Sequence, residues 1–197
     1  MSNIKHPPIR YPKESTFPHG EVYHRMGDEG GFEYLGKNVV TSDASIFFAR
    51  LIRDPSEPTS GAFALAVGTG DSGWNPSSVP IAEASQGSLY TEIDRVTFTS
   101  IEFIDEAGDT SAIPTNVLDF TATFSTTQAV GALVEMGIVC GAVDTTNPLT
   151  ATPIPQVDWS DPTVDRTEYD TFLNIKNFNV VNKPSGQTYT LVWRVTL

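Results

Sequence analysis

From Val117 to Gly141 the chain alternates apolar and polar positions with a period of two, VLDFTATFSTTQAVGALVEMGIVCG. Leu118, Phe120, Ala122 and Phe124 share one face of a predicted strand, and Asp119, Thr121 and Thr123 share the other. In the next predicted strand Ala132, Val134, Met136, Ile138 and Cys140 fall on one side, with Glu135 on the other. Together they read as a hairpin with a wholly apolar face. Such a pair is not stable alone in water, so the rest of the chain must cover it.

The same reading places the other elements. SDASIFFARLIR, Ser42 to Arg53, is the one convincing helix: Thr41, Ser42 or Asp43 caps it and Asp54-Pro55 stops it. Phe47 with Leu51, and Phe48 with Ile52, form apolar pairs four apart. Ala62–Val67 is a short buried strand closed by Gly68-Thr69-Gly70. In Arg95–Ile104, Val96 and Phe98 share a face while Ile101 and Phe103 are out of phase, which predicts a bulge near Thr99-Ser100. An acidic turn, Asp105–Thr110, leads into the central pair. Two strands end the chain, Thr171–Val181 and Gln187–Leu197; in the second, Tyr189, Leu191, Trp193, Val195 and Leu197 alternate with polar residues. The expected fold is all-β: an antiparallel β-sandwich, jelly-roll-like, with one short N-terminal helix.

Two segments stand outside that pattern. Residues 1–38 show no strand or helix period and carry Pro7, Pro8, Pro12 and Pro18, so they are expected to form an extended N-terminal arm. Tyr11, Phe17, Tyr23, Phe32 and Tyr34 are spaced along it as candidate partner contacts. The body, 39–197, is interrupted by a Pro- and Asp-rich excursion over 144–170, a length that marks a contact surface or functional loop. Trp74 and Trp159, both on predicted loops, are further candidate contacts.

Charge narrows the partners. Residues 1–38 hold five basic and five acidic residues, so the formal charge of −12 rests on the body. An acidic body repels phosphate backbones, and nucleic acid is not expected as a partner. No apolar run approaches the roughly 20 residues needed to span a bilayer, and the N-terminal prolines and charges do not resemble a secretory signal. Synthesis in a cytoplasm is expected. The single cysteine, Cys140, lies on a predicted core face and reads as a small apolar residue.

Candidate chemistry is thin. Gly68-Thr69-Gly70-Asp71-Ser72-Gly73 matches GxGxxG after a strand, but Pro76 and Pro80 forbid the helix that would hold a pyrophosphate. Gly70-Asp71-Ser72-Gly73 looks like the nucleophile segment of trypsin-like peptidases. The only histidines, His6, His19 and His24, lie far upstream in the arm, and Trp74 replaces the glycine expected next. His19 and His24 near Asp28 and Glu29, or Asp158, Asp161 and Asp165, lack metal-site spacing. No cofactor and no catalytic residue are expected. Trp74 and Trp159 are possible sugar platforms.

Five segments in order carry a resemblance: ARLI (Ala49–Ile52), LAVGTG (Leu65–Gly70), DFTATF (Asp119–Phe124), GALVEMGI (Gly131–Ile138) and LVWRVTL (Leu191–Leu197). The chain resembles a β-sandwich module of tailed-bacteriophage virion proteins, of the tail-fibre, collar and baseplate kind. The resemblance implies structural work without catalysis: an oligomeric adaptor docked to other virion proteins. The arm and the excursion depart from the usual module, and no fibre shaft follows the last strand, so a stand-alone adaptor is expected. A capsid decoration protein is the alternative within that class; a glycan-binding module is the alternative from another.

Overall fold

The computed structural model describes residues 19–53, 60–141 and 170–197. The strands form two antiparallel sheets packed face to face. The first contains β1 (His19–Met26), β2 (Glu33–Lys37), β6 (Ser100–Ile104), β7 (Thr110–Ser111), β8 (Val117–Phe124) and β11 (Tyr189–Thr196), in the order β2-β1-β11-β8-β6-β7. The second contains β3 (Val39–Val40), β4 (Ser60–Gly68), β5 (Glu92–Thr97), β9 (Gly131–Gly141) and β10 (Asp170–Lys183), in the order β3-β10-β9-β4-β5. The predicted all-β sandwich with one short helix is the observed fold.

The core lies between the sheets. Val22, Phe120, Ala122, Phe124, Leu191, Trp193 and Val195 of the first sheet meet Leu65, Val67, Leu133, Met136, Ile138 and Cys140 of the second. Each large side chain so buried contributes about 1.5–3 kcal/mol from its apolar area. Helix α1 (Ser42–Arg53) adds Ala44 and Phe47 to this cluster. Its cap is Thr41, whose hydroxyl accepts the Ala44 N–H at 3.0 Å and donates to the Phe172 carbonyl of β10. That second bond ties the helix start to the second sheet. The helix presents only its first half to the core, and Ile52 near its end is 86% exposed.

Three expectations give way. First, β8 and β9 are not a hairpin. They lie in different sheets, and the connection between them crosses the sandwich. Each is hydrogen-bonded on both sides by other strands: β8 by β11 and β6, β9 by β10 and β4. Alternation reports which face is buried and says nothing about which strand is the neighbour. Along β9, Leu133 rather than Val134 joins the inner face, beside a register irregularity where Asn177 and Val181 of β10 oppose Glu135 and Leu133.

Second, Arg95–Ile104 is not one bulged strand. The Phe98 N–H donates to the Phe63 carbonyl in the second sheet (3.4 Å), and the Thr99 N–H donates to the Thr121 carbonyl in the first (2.8 Å). The phase slip is a change of sheet, made where Phe98 packs its ring 5.3 Å from Phe120.

Third, the segment 1–38 is not an arm throughout. Its second half forms β1 and β2, and β1 sits inside the first sheet between β2 and β11, with Val22 opposite Trp193. No alternation marks β1 because both its faces are covered in part: Val22 turns inward while Glu21 and Tyr23, on the outer face, are also buried. Residues 1–18 and most of the excursion over 144–170 lie outside the described residues.

The second sheet is covered on its outer face as well. Ala82 and Leu89, from the segment 69–91, pack over Ala64, Ala66, Val139, Phe172 and Ile175. A strand layer buried on both sides explains the near-continuous apolar reading of β4 and β9.

Candidate interaction surfaces

The segment 69–91 is tied to β10 through Pro76, Val79 and Gln86, and its two ends are held by one side chain of β9. Glu135 of β9 is fully buried. Its Oε1 accepts the N–H groups of Gly70 (3.0 Å) and Thr91 (2.8 Å), and its Oε2 accepts the N–H of Tyr90 (2.9 Å). The carboxylate thus grips both ends of the segment at once. Burial pushes its pKa above the ordinary carboxyl range; the three N–H donors pull it down, and nearby Glu92 pushes it up. Glu92 and Glu135 flank Gly68 in one row across β5, β4 and β9, and Arg95 neutralises Glu92 through Nε and Nη2, the latter at 2.8 Å from Oε2.

This grip accounts for the glycines that imitate a dinucleotide turn. A Cβ on Gly68 would stand 2.3 Å from Glu135 Oε1. Gly70 has a φ of +71°, and a Cβ there would meet the Trp74 ring at 2.6 Å and Val134 at the same distance. The turn continues with the Gly73 N–H on Asp71 Oδ1 (2.7 Å) and the Trp74 N–H on the Asp71 carbonyl (3.0 Å). Ser72 stands exposed in this turn. Trp74 is half-buried, and its ring lies 4.8 Å from that of Tyr90, with the planes at 65°.

The other predicted contacts gather on the β1–β2 hairpin. Tyr23 is buried and donates its hydroxyl to Glu21 Oε2 at 2.8 Å; burial is the main cause that pushes its pKa up. Tyr34 is 50% exposed with its ring 5.3 Å from that of Tyr23. Phe32 carries the Arg25 guanidinium 5.0 Å above its ring centre. The structure therefore brings Tyr23, Phe32 and Tyr34 onto one hairpin and sets Trp74 apart on the second sheet's cover. Tyr11, Phe17 and Trp159 lie outside the described residues.

A second buried charge site runs across the outer face of the first sheet. Glu21, Arg194, Asp119 and Glu102 stand opposite one another on β1, β11, β8 and β6. Arg194 donates Nε and Nη2 to the two oxygens of Asp119, both at 2.7 Å, and both side chains are almost wholly buried. Neither this pair nor Glu135 is marked in the sequence by anything but a charge inside an apolar strand.

Among the described residues no group of three or more His, Cys, Asp or Glu side chains is placed to hold a metal ion. His24 meets Glu33 at 3.8 Å, and burial holds its imidazole below the usual range. Asp158, Asp161 and Asp165 lie outside the described residues. No described helix is long and apolar enough to cross a membrane. Comparison with protein-family models and with curated proteins finds no match to this chain.

Proposed function

We propose that this protein is a non-catalytic structural subunit of a tailed-bacteriophage virion, an oligomeric adaptor in the tail, collar or baseplate. The observation that carries the reading is a doubly braced sandwich with large apolar side chains held out at its margins. Ile52 at the helix end, Ile81 in the segment 69–91 and Ile113 after β7 are each at least 75% exposed. We read these as contacts for pockets on a partner. The five segments of the resemblance fall on α1, β4, β8, β9 and β11, five elements of one framework. Its contacts run to other virion proteins and to copies of itself, and the acidic charge of −12 keeps separate subunits apart before assembly.

Mass spectrometry of purified particles and a cryo-EM map of them test the proposal. The expected result is this polypeptide at fixed stoichiometry, as an oligomer at the neck, tail or baseplate. Density on the shell would make it a capsid decoration protein. Absence of the chain from purified particles overturns the reading.

A further inference from the structure

We propose that the outer face of the first sheet is a docking surface for residues 1–18 of the same chain. The proposal concerns the isolated protein and does not rest on the virion reading.

The face is covered, yet among the described residues no element is placed over it. Its two central rows run across β1, β11, β8 and β6: Tyr23, Val192, Thr121 and Ser100 in one, Glu21, Arg194, Asp119 and Glu102 in the other. Val192 and Asp119 are 0% exposed, and Thr121 is 1% exposed. Longer neighbours can screen a valine sideways, but here the longer neighbours, Tyr23 and Arg194, are themselves buried. A layer must lie above them all. The second sheet packs against the opposite side, and Val192 belongs to neither of the apolar clusters that sheet forms. Helix α1 is tied to β10, and the segment 69–91 covers the second sheet.

Three stretches lie outside the described residues, and charge selects among them. The described chain holds sixteen acidic and eight basic residues, so an acidic cover is repelled. Residues 54–59 bring Asp54 and Glu57 with no base, and 142–169 bring five acids against Arg166 alone. Residues 1–18 bring Lys5, Arg10 and Lys13 against Glu14. On the face itself Glu21, Asp119 and Glu102 outnumber Arg194 and, at the rim, Lys37.

Connectivity agrees with charge. Residue 18 leads straight into β1, which carries Glu21 and Tyr23, whereas 142–169 joins two strands of the other sheet. Attachment at the edge of the face gives an effective concentration on the order of millimolar, which favours the chain's own segment over that of a second copy. At ~3.1 Å per residue in a proline-rich chain, 1–18 outreaches the four strands, about 15 Å of sheet. Pro7, Pro8, Pro12 and Pro18 have no N–H to leave unpaired, and Ile4, Ile9, Tyr11 and Phe17 offer apolar surface to Val192 and Tyr23. Tyr11 and Phe17 then serve the chain's own sheet and not a neighbour.

The test uses the full chain in solution with p-benzoylphenylalanine in place of Tyr11, irradiated in a mixture of isotopically light and heavy copies. Mass spectrometry is expected to find cross-links to peptides of β1, β11, β8 or β6 within one copy. Combining Lys5→Glu, Arg10→Glu and Lys13→Glu is expected to lower their yield by ~10-fold or more, the fold-change that corresponds to about 1.4 kcal/mol. These substitutions touch no described strand, and an unchanged circular dichroism spectrum verifies the fold. Cross-links to the second sheet or to the segment 69–91, links only between copies, or no links at all overturn the proposal. An unchanged yield in the triple variant overturns it as well.

Discussion

At the scale of single residues, two buried acids behave differently because their partners differ. Asp119 faces a cation. Replacing it with Ala removes the carboxylate that accepts both Arg194 Nε and Nη2 and is expected to cost about 3–5 kcal/mol, read by urea denaturation. The double replacement Asp119→Leu with Arg194→Met should recover part of that loss, because the two opposite charges leave the sheet together while Glu21 and Glu102 remain in the row. Glu135 faces only backbone N–H groups and another acid, Glu92. Since its pKa is raised in the folded chain, the folded state holds its proton to higher pH than the unfolded state does. Its contribution to stability is therefore full below the ordinary carboxyl range and is lost as pH rises through the raised value. Denaturation curves collected across that window should show the parent chain losing stability with rising pH, and Glu135→Gln should flatten the trend. Parallel curves for the two proteins would remove Glu135 as the titrating group. Neither role was legible in the sequence: Asp119 and Glu135 fall on polar positions of alternating strands, where solvent is the ordinary neighbour, and it is the Arg194 side chain over Asp119 and the ends of the segment 69–91 over Glu135 that go with their burial.

At the scale of elements, the periodic strands were legible and the aperiodic ones were not. β8 and β11 announced themselves by alternation, and α1 by its cap and stop. β1 did not, since HGEVYHRM places glutamate, histidine and arginine in a strand covered in part on both faces. Sheet membership was likewise hidden, because the crossing at Phe98-Thr99 and a local bulge leave the same phase slip in a sequence. The consequence for truncation is definite. Removing residues 1–18 keeps every described strand, and circular dichroism should show a cooperative thermal transition. Removing 1–38 takes away β1, strips one side of β11 of its hydrogen bonds and exposes Trp193, so that transition should be lost. A folded 1–38 truncation would mean that β11 needs no neighbour on that side.

At the scale of the molecule, the sequence indicates a sandwich and candidate anchors, and the folded chain sorts those anchors by place. Trp74 lies half-buried on the cover of the second sheet beside Tyr90, a neighbour that no spacing rule could have supplied across 16 positions of loop. Tyr23, by contrast, is taken into the sheet and is no longer available as a contact. The pairing of β1 with β11 also sets a clock. His19 lies opposite Thr196, so β1 finds this neighbour only after every other described strand has been made. At ~5–20 residues per second, β1 waits on the order of ten seconds or more for β11. During that interval its hydrogen-bonding edge is open, and closure must then join the two most distant parts of the described chain, a contact order that places folding in the slow, milliseconds-to-seconds class. Synthesis at high concentration is therefore the moment at which this protein is most exposed to mispairing with itself, and the yield of folded protein should fall with expression rate before it falls with temperature.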